Sequence, residues 1–133
     1  DKAAIGITEV ADAAPYDQRF YWGVDNPKAL DDDGENKGLK SVWVAKQKEI
    51  AATLLAPTDW YVTRKAETDV AIPSAISTRR AAIRTTCGTR EAEINACDTT
   101  DALAALLTNP AEVMDSEGNM VANTDPFITQ WPE

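Results

Sequence analysis

The chain has 133 residues, of which 44% are apolar, and carries 22 acidic against 13 basic side chains for a net charge of −9. That length suits one domain with one core, since domains commonly hold roughly 100 to 150 residues, and the apolar share excludes a disordered or fibrous chain. The acidity disfavours phosphate backbones and anionic bilayers, so neither nucleic acid nor membrane is expected as a partner. No apolar run reaches the roughly 20 residues of a bilayer span. A start at Asp1 without Met suggests a trimmed product, from which any targeting segment would be gone. Alanine supplies much of the apolar content, so the four Trp, three Tyr and two Phe weigh heavily in core and surface alike.

In chain order, residues 1–38 read as a β and loop region. Ile5 and Ile7 alternate, with Val10 a little further on, and Phe20-Tyr21-Trp22 follows a proline, which predicts short strands near 4–10 and 18–24. Asp31-Asp32-Asp33-Gly34-Glu35-Asn36 invites a calcium-loop reading, but no register places Gly at position six together with Glu at position twelve. A solvated turn is the expectation.

Residues 39–108 read as a helical core. Leu39, Val42, Trp43, Ile50, Leu54 and Leu55 recur with helical spacing up to Ala56, with Lys40, Lys46, Gln47, Lys48 and Glu49 as the polar side. Pro57 should end that helix, and Thr58 or Asp59 should cap a short successor that begins with Trp60 and Tyr61. Trp60 is expected at a buried corner between helices, with Trp43 and Ile83 as further core residues. Pro73 suits the start of a third helix. In that helix Ile76, Ile83, Arg90 and Cys97 form a seven-residue recurrence, interleaved with Arg80, Cys87 and Ile94. Gly88 admits a bend. The arginines in this stripe must reach water or find a carboxylate such as Glu49 or one on a neighbouring subunit. Cys87 and Cys97 would lie about 15 Å apart along the helix axis, too far for a disulfide, and are expected as free thiols. Asp98-Thr99-Thr100-Asp101 signals a last short helix, which Asn109-Pro110 ends.

Residues 109–133 read as a hairpin and a tail. Val113-Met114 and Met120-Val121 flank a Gly-containing loop, and the tail through Phe127 and Trp131 either lies on its own domain or docks onto another chain. The fold expected from these elements is α+β and helix-dominated, with antiparallel helices around the Thr-Asp-Trp turn and short β elements at both ends of a single domain.

Chemistry is scarce. The chain contains no histidine, which removes Ser-His-Asp and Cys-His sites and most catalytic zinc sites. Its six glycines form neither a phosphate loop nor a dinucleotide fingerprint. Glu67 with Asp69 and Glu91 with Glu93 read as exposed charges rather than as a glycosidase pair. No catalytic, cofactor or metal residues are expected.

Leu54-Leu55-Ala56-Pro57-Thr58-Asp59-Trp60-Tyr61-Val62-Thr63-Arg64-Lys65-Ala66-Glu67, followed by Ile72-Pro73 and Arg80-Ala81-Ala82-Ile83-Arg84, resembles a helical module of tail-fibre assembly and tail-associated structural proteins of tailed bacteriophages. The resemblance covers residues 45–85, and the closing Trp131-Pro132 is similar to the endings of that group. The whole chain, with Tyr16-Asp17-Gln18-Arg19-Phe20-Tyr21-Trp22-Gly23, resembles virion structural proteins of cyanophage-like phages. It departs from the group at Arg79-Arg80, where an aromatic-Arg pair is commoner. The resemblance implies a non-enzymatic part of a tail or tail fibre, made in the host cytoplasm and built into the virion beside other phage structural proteins and its own copies. An assembly chaperone absent from the mature particle is the alternative, and a small glycan- or cell-wall-acting enzyme a third reading. Trp22, Arg80, Phe127 and Trp131 are the candidate interface residues.

Overall fold

A computed structural model of the chain describes residues 15–133. The strand expected near residues 4–10 lies outside the described residues. The order is β1 (Tyr21–Gly23), β2 (Asn26–Pro27), α1 (Leu39–Leu55), a 3-10 turn (Ala56–Thr58), α2 (Asp59–Thr68), α3 (Ser74–Asn95), α4 (Thr100–Thr108), β3 (Glu112–Met114) and β4 (Met120–Ala122). The class is α+β and helix-dominated, with short antiparallel strand pairs towards both ends of the chain.

Helices α1 and α3 form the main packed pair. Their contacts run in opposite chain directions, Lys48 meeting Glu91, Gln47 meeting Arg90 and Leu55 meeting Arg80, so the two are antiparallel. On α1 the inward row is Leu39, Trp43, Gln47, Ala51 and Leu55, a four-residue spacing that lies along one helix face. Gln47, expected on the polar side, is therefore at the centre of the buried face, while Val42 is exposed. On α3 the buried residues Ile83, Cys87, Arg90 and Ile94 follow the stripe read from the sequence. The helix runs through Gly88 without interruption, and a Cβ at that position would meet no neighbour.

Large side chains collect in two clusters. Phe20, Leu39, Ile94, Leu103, Leu106 and Ile128 form one, with Trp43 packed against it and stacked on Phe20 at 5.4 Å between ring centroids. Ala51, Ile83 and Cys87 form the other, with Leu54, Leu55 and Trp131 around them. The first cluster joins the segment that leads into β1 with α1, α3, α4 and the tail. Phe20 lies in the turn before β1, its N–H donating to Asp17 O at 3.1 Å, so strand alternation does not tie it to exposed Trp22 and it is fully buried.

The acidic loop before α1 has a structural task. Leu39 N–H donates to Ala29 O at 2.8 Å, Lys40 N–H to Leu30 O at 3.1 Å, and Gly38 N–H to Asp32 Oδ1 at 2.8 Å. These bonds satisfy amides that a helix start otherwise leaves unpaired. They hold the loop so close that a Cβ on Gly38 would lie 2.2 Å from Leu30 O. Lower down the chain, Thr99 Oγ1 accepts from Ala102 N–H at 3.0 Å and caps α4 as its sequence predicts. Asp115 Oδ1 accepts from the N–H groups of Glu117 and Asn119, which closes the β3–β4 turn at Gly118, where φ is +85°.

Candidate interaction surface

Arg90 lies in the α1–α3 seam and is only 9% exposed. Its Nε donates to Gln47 Oε1 at 2.8 Å, and a terminal nitrogen donates to the Thr129 carbonyl. Gln47 Nε2 in turn donates to Trp43 O at 3.0 Å. Glu93 holds the same tail residue from the other side, accepting from Thr129 N–H at 2.9 Å and from its hydroxyl at 2.7 Å. The guanidinium also lies 4.9 Å from the centroid of the Trp131 ring. Burial lowers the Arg90 pKa from its ordinary value, with the Glu93 charge opposing the shift. The arrangement straps the tail across the helix pair: Ile128 enters one apolar cluster, Trp131 the other, and the polar layer lies between. Of the two fates expected for the tail, the structure has the intramolecular one. Trp131 is thus engaged within its own chain, and Phe127 is half-buried beside Ile128.

Arg80 is also engaged internally. One of its terminal nitrogens donates to Leu55 O at 3.0 Å and to Thr58 Oγ1 at 2.8 Å, and the other lies 2.9 Å from Asp59 Oδ1. Its partner is Asp59 rather than Glu49, because the α1–α2 corner brings the last carbonyls of α1 and the first carboxylate of α2 to one place on α3. Thr58 does not cap α2; its hydroxyl donates back to Leu55 O at 3.1 Å.

That corner does not bury Trp60, which is 52% exposed, so the expectation of a core indole is corrected. Helix α2 has no buried residue. Trp60 stacks on Tyr61 at 3.8 Å between centroids, with the Arg64 guanidinium 5.0 Å from its ring. The physical reason is that neither apolar cluster extends to α2, so the indole has no core to enter and packs on its own helix instead.

Trp22 is the candidate that faces outward, at 67% exposure. It edges a cleft of ≈610 Å³ in which Arg19, Lys28 and Lys37 alternate with Asp31 and Asp33 around Val42, and Lys37 lies 3.7 Å from Asp32. Lys28 Nζ lies 4.5 Å from the Trp22 ring centroid. An adjoining depression of ≈490 Å³ adds Trp43 and Lys46. Arg19 is paired with Asp17, whose carboxyl is lowered to about 2 chiefly by that side-chain bond. Apolar side chains are exposed elsewhere too: Met114, Met120 and Val121 lie on the β3–β4 hairpin. Sequence reasoning identified Trp22 but missed the mixed-charge cleft beside it, whose members come from residues scattered between 19 and 42.

Among the described residues, no three His, Cys, Asp or Glu side chains come together as a metal site, and no helix is long and apolar enough to cross a membrane. Cys87 and Cys97 are free thiols. No family model, curated protein or solved structure matches the chain.

Proposed function

We propose that the chain is a non-enzymatic structural component of a bacteriophage tail or tail fibre, working by protein–protein assembly. The reading starts from the Leu54–Glu67 stretch and the Ile72-Pro73 and Arg80–Arg84 segments, which resemble tail-associated proteins. The observation that carries it furthest is the outward placement of large apolar side chains in a chain that has few of them. Trp22, Trp60, Met114 and Met120 are all more than half exposed. Partly apolar, aromatic-centred surface is what a subunit presents to a neighbour, and a small number of such anchors dominates interface energy. Trp22 is the anchor favoured by its exposure, 67%, at the edge of a cleft. Phe127 and Trp131 serve the subunit's own fold first.

Mass spectrometry of purified phage particles tests the reading. A structural subunit is found in stoichiometric amount in the mature particle, and a Trp22→Ala subunit is incorporated poorly while keeping its fold. Presence during assembly with absence from the finished particle would replace the structural role by that of an assembly chaperone.

A further inference from the structure

The tail reaches its place on the helices from an arm that takes no part in the core. Among the described residues, none from Pro110 to Phe127 belongs to either apolar cluster. The hydrogen bonds of this stretch close on itself. Asn123 N–H donates to Ala111 O at 2.9 Å, Asn123 Nδ2 to Pro110 O at 2.9 Å and Asp125 N–H to Asn123 Oδ1 at 3.0 Å. Among the described residues, the one hydrogen bond that ties it to the rest of the fold comes from Asn109 at the end of α4, whose Nδ2 donates to Pro126 O at 2.8 Å. What fastens this self-contained arm to the helices is the short segment that follows it.

That segment, Ile128 to Trp131, is held at successive positions by α1, α3 and α4. Ile128 N–H donates to Leu106 O at 3.0 Å, and its side chain is 5% exposed within the first cluster. Thr129 is gripped from both sides, its N–H and hydroxyl by Glu93 and its carbonyl by Arg90. Trp131 lies over Arg90 and packs on the second cluster. Two apolar anchors with a polar clamp between them make a bipartite site for an extended segment, in which pockets give specificity and main-chain bonds give affinity. None of these groups depends on how the segment is joined to the chain. The Trp131 Nε1 is also buried without an acceptor, so release of the tail returns that donor to water and is easier than from a fully satisfied seat.

We infer that this groove takes the Ile128–Trp131 segment from a neighbouring copy as well as from its own chain, so that subunits are joined by exchange of their tails. The occupant is identified by the contacts above, because the same segment from a second copy makes every one of them again. Exchange therefore loses nothing at the seat, and its cost is that of association. The connecting residues 123–127 span up to roughly 17 Å when extended, which lets the segment leave its own helices without disturbing them. Within one chain a short tether holds the tail near its groove at an effective concentration of about millimolar. A foreign tail competes where copies are held side by side at a comparable local concentration, which is the condition inside an assembly. The inference rests on the assembly role proposed above and names its partner and contact. Reciprocal exchange gives a two-fold dimer, and one-way passing gives a ring or a filament.

Two full-length variants test this by mixing. Glu93→Lys removes the acceptors of Thr129 and sets a second cation beside Arg90, which leaves a poor groove with an intact tail. Thr129→Ala with Trp131→Ser leaves a poor tail with an intact groove. In sedimentation velocity each variant alone is a monomer. Mixed, they form a one-to-one dimer that grows no further and associates at least about tenfold more tightly than either variant with itself. Isotope labelling of the double variant alone then identifies the contact. Half-filtered nuclear Overhauser spectra show the Trp131 ring of the unlabelled chain against Ala51 and Ile83 of the labelled one. If circular dichroism shows either variant to be unfolded, an equal mixture of labelled and unlabelled wild-type chain at about millimolar concentration decides by the same intermolecular contact. Folded variants that stay monomeric when mixed, a dimer without the Trp131 contact, or in the second case a wild-type mixture lacking it, overturns the inference. A subunit stoichiometric in particles whose variants do not pair keeps the tail role and loses the exchange. Pairing variants of a protein absent from particles do the reverse.

Discussion

Arg90 shows how one side chain can organise a fold at which two helices and a tail meet. Removing it leaves Gln47 Oε1 and the Thr129 carbonyl without their donor and takes the cation from the face of Trp131. Arg90→Ala should destabilise the chain by about 2–4 kcal/mol in urea denaturation, the range for charged hydrogen bonds broken inside a protein. Arg90→Lys should recover little, because a compact ammonium at the end of a flexible stem lacks the flat guanidinium fork that donates from Nε and a terminal nitrogen to separated acceptors beside the Trp131 ring. In a chain lacking residues 129–133 the Arg90→Ala cost should be clearly smaller, and a double-mutant cycle measures that coupling.

The thiols give a second prediction at this scale. Desolvation raises the pKa of Cys87, and its bond to Glu91 Oε2 at 3.2 Å adds to the shift; desolvation raises Cys97 as well. A raised thiol pKa means less thiolate at any given pH than in the unfolded chain, and the thiolate is the reacting form. Labelling by a disulfide-exchange reagent should therefore be slow in the native state, rise with pH only beyond the ordinary thiol range, and become fast in urea. The stabilisation linked to each retained proton is full below the unfolded thiol pKa and is lost as pH climbs through the folded one.

At the scale of elements, the corner between α1 and α2 separates two roles that adjoin in the sequence. Arg80 fastens the corner through Leu55 O, Thr58 Oγ1 and Asp59, whereas Trp60, one residue beyond Asp59, lies outside the core. Arg80→Ala should cost about 1–3 kcal/mol in thermal or urea unfolding, and Trp60→Ala less than about 1 kcal/mol. A buried-corner role for the indole requires the opposite order, so this pair of variants distinguishes the two arrangements. The loop before α1 makes a similar point. Gly38→Ala should destabilise by about 1–3 kcal/mol, because the added Cβ meets backbone at Leu30 and not a side chain that can turn away.

For the whole molecule, stability should be uneven. The α1–α3 seam unites both apolar clusters with the strapped tail, while α2 and the β3–β4 hairpin bury almost nothing. Amide hydrogen exchange should be slowest in α3 around Ile83–Ile94 and fastest in α2 and the hairpin.

Sequence by itself determined the helices, their limits to within a residue or two, the α4 cap, the closing hairpin and the stripe on α3. Each depends on neighbours within a few turns, through side-chain periodicity, proline and capping oxygens. Tertiary structure alone decided that Gln47 faces inward to meet Arg90, that Asp59 and not Glu49 receives Arg80, and that the tail closes on its own helices. It also placed Trp60 outside and gathered Arg19, Lys28, Asp31, Asp33 and Lys37 in one cleft beside Trp22. Those outcomes depend on which helix faces meet and where the chain returns, and a side chain's local pattern contains no information about a partner that lies tens of residues away.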